Sequence, residues 1–216
     1  MIENVDGIHV ETRYINGNDG WSPGSVAVAH VPGLDVDVTG VPPLTDLQKS
    51  LEPESATILL DATTGERIPH WGEFDQNVED DGDRVFFVRP AVNLPYGHRI
   101  IVAFVGFKDV NGTLLEPSDV FRAYRDDLLS DQVEVEAQRA RYEEIFASLE
   151  AVGVVRGEIY LAWDFTVVSS RNMAERLLHI RDDAFAALGD AAPQFVVEEV
   201  EEPLDDRTLR LSLIHI

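Results

Sequence analysis

From about residue 57 onward the apolar positions recur on a short period, broken by turn formers. Thr57 to Asp61 is an apolar run, Thr63-Thr64-Gly65-Glu66 is turn chemistry, and Arg67 to Asp75 alternates, which predicts a hairpin. Arg84 to Arg89 predicts a strand stopped by Pro90, and His98 to Phe107 a second apolar strand closed by Asp109-Val110-Asn111-Gly112. Thr113 to Ala123 reads as one more short strand, and Val26 to Val31 as an early one. Between Pro32 and Pro53, Gly33, Gly40, Pro42 and Pro43 leave room for no more than a helical turn at Asp46 to Ser50.

Around residue 130 the period changes from 2 to 3.6. Ser130 and Asp131 are good N-caps, Glu134 lies three after Asp131, and Val133, Ala137, Ala140, Ile145, Leu149 and Val152 keep one face, predicting a helix over 131–152 that Gly153 ends. Glu158 to Val168 has the clearest strand pattern, with Ile159, Leu161, Trp163, Phe165 and Val167 on one face. Ser169 or Ser170 caps a second helix over 170–188, with Met173, Leu177, Ile180, Ala184 and Leu188 expected inward and Gly189 at its end. Phe195 to Val200 is a last strand candidate. Short strands at turn-punctuated spacing followed by two helices predict a mainly β fold with helical elaborations: an immunoglobulin-like β-sandwich.

The expected organisation is a loop segment over 1–25, one sandwich domain over 26–200 and a tail over 201–216. The tail ends in Leu211-Ser212-Leu213-Ile214-His215-Ile216, which matches the translation of a transposon-end sequence used in building sequencing libraries. The tail is therefore read as a truncated end of a metagenomic reading frame and 211–216 as an adapter artefact. The competing reading is an ordinary final strand, since Leu209, Leu211 and Leu213 alternate with Arg210 and Ser212.

Composition narrows the function. The 216 residues carry 40 acidic and 17 basic side chains, a formal charge of -23, which opposes binding to nucleic acid or to anionic membranes. With 44% hydrophobic residues the chain can bury a core. The size rule for such a chain is about 70% of the unfolded surface. There is no cysteine, which excludes disulfides, thiolate metal sites and cysteine nucleophiles. No apolar stretch is long enough to span a bilayer, so no membrane insertion is expected, and the first residues lack the pattern of a signal peptide.

Candidate chemistry is sparse. Gly20-Trp21-Ser22-Pro23-Gly24 fits the Gly-x-Ser-x-Gly elbow of serine hydrolases, but the residue after Ser22 is a proline with no N–H to give an oxyanion hole. The turn-rich residues before it and the β-like run after it also differ from the strand and helix that the elbow needs. No catalytic residue is assigned. His9, His30, His70, His98, His179 and His215 show no metal-ligand spacing, and His179 has Asp183 four residues on as a surface partner. Asp80-Asp81-Gly82-Asp83 and Asp109-Val110-Asn111-Gly112 can each offer oxygens to calcium or serve as plain hairpin turns. No cofactor or metal is assigned. Trp163 belongs to the core face of its strand; Trp21 and Trp71, near turns, are the candidate partner or ligand contacts.

Several segments in order carry a family resemblance: Asn18-Asp19-Gly20-Trp21-Ser22-Pro23-Gly24; Asp61-Ala62-Thr63-Thr64-Gly65-Glu66-Arg67 followed by Trp71; and Arg89-Pro90-Ala91-Val92-Asn93-Leu94. Phe121-Arg122-Ala123-Tyr124-Arg125-Asp126 and Ala162-Trp163-Asp164-Phe165-Thr166-Val167 complete the set. Together they resemble the N-terminal, immunoglobulin-like domain that precedes the α/β-hydrolase domain of large secreted bacterial lipase- or esterase-like proteins. The resemblance implies a non-catalytic accessory domain in a secreted or surface-anchored protein, with the serine nucleophile downstream and the Trp21 loop and second helix facing that partner. The alternative is a stand-alone adhesion or carbohydrate-binding sandwich.

Overall fold

In a computed structural model of the chain, residues 4–9, 12, 16–78, 82, 84–201 and 211–215 are described. Two units are distinguished, one running through Asn172 and the other beginning at Met173.

The first unit is built on two antiparallel sheets. β1 (Ala27–His30), β4 (His70–Phe74) and β5 (Val85–Pro90) form one in the order β1-β5-β4. β2 (Thr57–Asp61), β3 (Glu66–Arg67), β6 (Arg99–Val105) and β7 (Ile159–Thr166) form the other in the order β3-β2-β6-β7. The predicted hairpin is divided between them. β2 and β3 pair as expected, but after Ile68-Pro69, where the proline cannot donate to a ladder, the chain crosses to the other sheet as β4.

Period-2 alternation sorts the strand residues onto two cores. Leu59, Ile100, Val102 and Phe104 face Ala27, Phe86 and Val88 of the three-stranded sheet, with Phe104 stacked on Phe107. Ile58, Leu60, Ile101 and Ala103 point the opposite way, onto the helices α2 (Asp119–Arg125) and α3 (Val133–Ala151), where Phe121, Tyr124, Ile145, Phe146 and Leu149 are buried. The layers are therefore sheet, sheet and helices, with β6 buried on both faces. This is why β6 reads as an unbroken apolar run. Within the three-stranded sheet the packing is tightest at Gly72, where a Cβ would lie 2.5 Å from Val41, in the connection after β1, and 2.6 Å from the Phe86 ring of the neighbouring strand.

Further expectations need correction. The fold is a mixture of helix and sheet and not mainly β, because α2 and α3 form a layer of their own on the four-stranded sheet. Thr113 to Ala123 is not a strand: Leu114 makes one isolated bridge to Lys108, and Ser118 then caps α2 by accepting the Phe121 N–H at 3.2 Å. The Asp131/Glu134 capping box does not form. α3 starts at Val133, and the Glu136 carboxylate reaches back to the Ser130 N–H, while its inward face is Val135, Ile145, Phe146 and Leu149 with Val133 exposed. In β7 the alternation slips, because a bulge pairs Phe104 with Leu161 but Val105 with Ile159. Tyr160 therefore packs on the sandwich core and Ile159 on the helical one, while Trp163 keeps its predicted core face, edge-on to Phe104.

α4 (Ser170–Leu188) begins in the first unit, with Ser169 Oγ accepting the Asn172 N–H at 3.0 Å as its predicted cap. In the second unit, the apolar positions of α4 expected to point inward are not buried: Met173, Leu177 and Ile180 are exposed, Leu177 to 71%. β8 (Val196–Glu201) pairs antiparallel with β9 (Leu211–His215), so the segment read as an adapter artefact takes the strand form that its alternation also allowed.

Candidate functional site

Three parts of the chain converge where β7 ends. Val167 donates its N–H to the His98 carbonyl at 2.9 Å and accepts the Gly97 N–H at 3.1 Å, so the turn before β6 covers one side of it. On the other side Trp21 forms an isolated parallel bridge with Val167. The Trp21 N–H donates to the Thr166 carbonyl and the Val168 N–H donates to the Trp21 carbonyl, both at 2.8 Å. The loop after β5 joins through Leu94, whose N–H donates to the Pro23 carbonyl at 2.9 Å. Residues 21–23 of the loop segment are thus anchored to the sheet and to the loop after β5. These backbone bonds tie the loops of this pole to the sheet, yet large side chains on them face water: Trp21 is 65% exposed and Val92 and Tyr96 51% each.

Ser22 shows no elbow geometry. Its Oγ accepts the Gly24 N–H at 3.3 Å, its carbonyl accepts the Ser25 N–H, and the chain passes into β1, not a helix. Trp71, the other candidate contact, lies on β4 opposite Arg89, in the three-stranded sheet. It is half-buried, and its enclosed indole N–H meets no hydrogen-bond partner among the described residues. Trp21 is thus bridged to the end of β7 and Trp71 lies within the three-stranded sheet.

A pair that no sequence motif signalled stands at the same pole. His98 Nδ1 donates to Asp61 Oδ2 at 2.7 Å, and Asp61 Oδ1 accepts the Thr63 and Thr64 N–H groups at 2.9 and 3.4 Å. Asp61 is only 4% exposed. Burial would raise its carboxyl, but the His98 contact and the two amides outweigh that and hold it below its ordinary 3.8. The two residues are 37 apart in the chain and meet because the β2–β6 register sets Asp61 opposite Ile100. A carboxylate orienting an imidazole supplies two of the three members of a hydrolytic triad. Among the described residues no hydroxyl hydrogen-bonds to His98, so the pair here clamps the turn between β2 and β3 to the start of β6.

The other histidines are dispersed. His70 is buried between the sheets, donating Nδ1–H to the Ile68 carbonyl at 2.8 Å and accepting the Thr57 hydroxyl on Nε2 at 2.9 Å. His30 reaches the Gly82 carbonyl, and His179 is exposed on α4, where Asp182 pairs with Arg181. Among the described residues no three His, Asp or Glu side chains gather closely enough to hold a metal ion. The Asp109 carboxylate is taken up by its own turn, accepting the Asn111 and Thr113 N–H groups at 2.9 and 2.8 Å. Asp80, Asp81 and Asp83 lie outside the described residues.

A cleft of about 690 Å³ opens at the opposite end of β6 and β7, bordered by Lys108, Arg125, Glu54, Glu116, Glu158 and Tyr160. Its mixture of charges selects no ligand class, and Arg125 is engaged by Asp126 at 2.7 Å. No helix among the described residues is long and apolar enough to cross a membrane. Comparison of the chain with protein-family models, with curated proteins and with solved structures found no match.

Proposed function

We propose that this chain is a non-catalytic accessory domain, immunoglobulin-like in architecture, that packs through its Trp21 pole on an α/β-hydrolase domain of a secreted or surface-anchored bacterial protein. The supporting observation is the exposure of Trp21, and of Val92 and Tyr96 on the loop that Leu94 ties to Pro23, with the Trp21 backbone hydrogen-bonded to the sheet. Large apolar side chains held rigidly in water are the usual mark of a surface that a partner covers, and Trp and Tyr are enriched in such surfaces. The ordered segments that resemble the N-terminal domain of lipase-like proteins supply the class of partner. The face-to-face packing of two antiparallel sheets supports the architecture proposed, while the strand order differs from that of an immunoglobulin domain. Immunoglobulin constant domains place their first, second, fourth and fifth strands in one sheet, whereas β2 here lies between β3 and β6.

The test begins with reading the source DNA beyond codon 210. The expected result is a frame that continues into a domain with a strand–turn–helix Gly-x-Ser-x-Gly and later Asp and His. Trp21→Ala or Tyr96→Ala should then weaken the association of the two purified domains by about tenfold or more, as loss of an aromatic anchor does. Ester turnover by this chain alone that depends on Ser22 would overturn the reading. Glycan binding lost on Trp21→Ala would instead assign the pole to carbohydrate.

A further inference from the structure

The hydrogen bonds that tie Trp21 to the end of β7 are part of a longer set, over residues 17–21, that crosses about 150 residues of sequence. Asn172 Nδ2 donates to the Gly17 carbonyl at 2.9 Å, and the Ser169 N–H donates to Asp19 Oδ1 at 2.9 Å. The two Trp21 backbone bonds to Thr166 and Val168 follow at 2.8 Å each. Gly20 fits between them only because it has no side chain. A Cβ there would stand 2.5 Å from the Val168 nitrogen and 2.6 Å from both the Thr166 oxygen and the Val167 carbonyl carbon. These are backbone atoms of the sheet, which cannot swing aside as the end of a flexible side chain can. Asp19, held below its ordinary 3.8 chiefly by its hydrogen bond to Ser169, is charged at neutral pH and serves as an acceptor for the corner between β7 and α4.

We infer that residues 17–21 are a closing strap, in which Gly20 and Asp19 are positioning residues that lay the Trp21 backbone along the edge of β7 and so fix where its indole points. The indole itself contributes none of these bonds. Preorganising an aromatic anchor removes the ordering cost from binding, which is how a strap of this kind would serve a partner. That consequence rests on the docking reading above, whereas closure of the strap does not.

Site-resolved amide hydrogen exchange on the whole chain separates the two. Gly20→Ala is expected to speed exchange at Trp21, Val168 and Ser169 by about tenfold or more, while Leu59 and Val102 in the core stay protected. Asp19→Ala should act at Ser169, with a smaller effect at Val168. Trp21→Ala should leave the Val168 and Ser169 rates as in the wild type. Wild-type rates at all three amides in Gly20→Ala would overturn the strap; if that variant also deprotects the core, Asp19→Ala decides, and unchanged Ser169 exchange there would overturn it. An open strap in Gly20→Ala with undiminished association of the hydrolase domain would leave the strap standing and remove the docking reading.

Discussion

At the residue scale the buried polar groups are the most informative, because each is committed to particular partners. His70 has no exposed surface, and its two ring nitrogens are both used, which sets the tautomer: Nδ1 carries the proton and Nε2 accepts from Thr57. Burial pushes the imidazole below its ordinary 6.5, against the upward pull of its hydrogen bonds. The unfolded chain therefore binds a proton that the folded chain refuses. Stability from the neutral ring is fully present above pH 6.5 and is lost as the pH falls below it. Urea unfolding at a series of pH values between 7.5 and 5 should show this loss, with a slope of up to about 1.4 kcal/mol per pH unit from this one group. His70→Gln should be less stable at pH 7.5 and should lose that part of the slope; an unchanged slope would show that His70 does not contribute. Thr57→Val should cost about 1–3 kcal/mol, since it leaves Nε2 buried without a donor. None of this was legible in the sequence, where His70 is one histidine among six. Thr57 reaches His70 because the two sheets pack face to face, and the Asp61–His98 pair is set by the β2–β6 register, whereas the core placement of Trp163 follows from local alternation alone.

At the scale of elements, α2, α3 and α4 show what periodicity can and cannot settle. Ser118-Asp119-Val120-Phe121 carries an N-cap followed by an acid in the first turn, yet α2 is only 7 residues long and its β-branched and aromatic content resembles a strand. Packing of Phe121 and Tyr124 against α3 and the sheet decides for helix. Ser118→Ala should therefore cost about 1 kcal/mol, measurable by denaturant unfolding, and a value near zero would mean that the cap is dispensable. In α3 the polar residues are as decisive as the apolar stripe. Arg139 bonds to Glu136, Asp127 and the Leu128 carbonyl, and Arg156 joins Glu143 to the Tyr124 and Arg125 carbonyls. Contact with Arg139 and with the Ser130 amide draws the Glu136 carboxyl down to about 2. In α4 the stripe is real but open. Leu177→Lys should change the unfolding free energy by no more than about 0.5 kcal/mol, whereas Leu149→Ala, fully buried in α3, should cost about 2–5 kcal/mol.

For the whole molecule the dominant fact is charge. A net -23 opposes compaction through self-repulsion, and much of it lies on the surface, where salt screens it. Raising ionic strength from about 0.01 M to about 0.15 M shortens the screening length from about 30 Å to about 8 Å and should raise the melting temperature by calorimetry. A fall would mean that the Arg–carboxylate pairs, Arg99 and Arg141 on the buried Asp164 among them, outweigh the repulsion. The sequence by itself determined the strand-then-helix order, the positions of most strands, the two long helices and the acidic surface, because these depend on local period, turn residues and composition. The tertiary structure alone decided how the strands divide between two sheets, which face of β7 the bulge turns inward, that 119–125 is helical, and that Trp21 stands open at the end of β7 while Trp71 does not. These depend on pairings across as many as 150 residues, and no short-range pattern encodes which distant backbone a loop such as Asn18-Asp19-Gly20-Trp21 will meet.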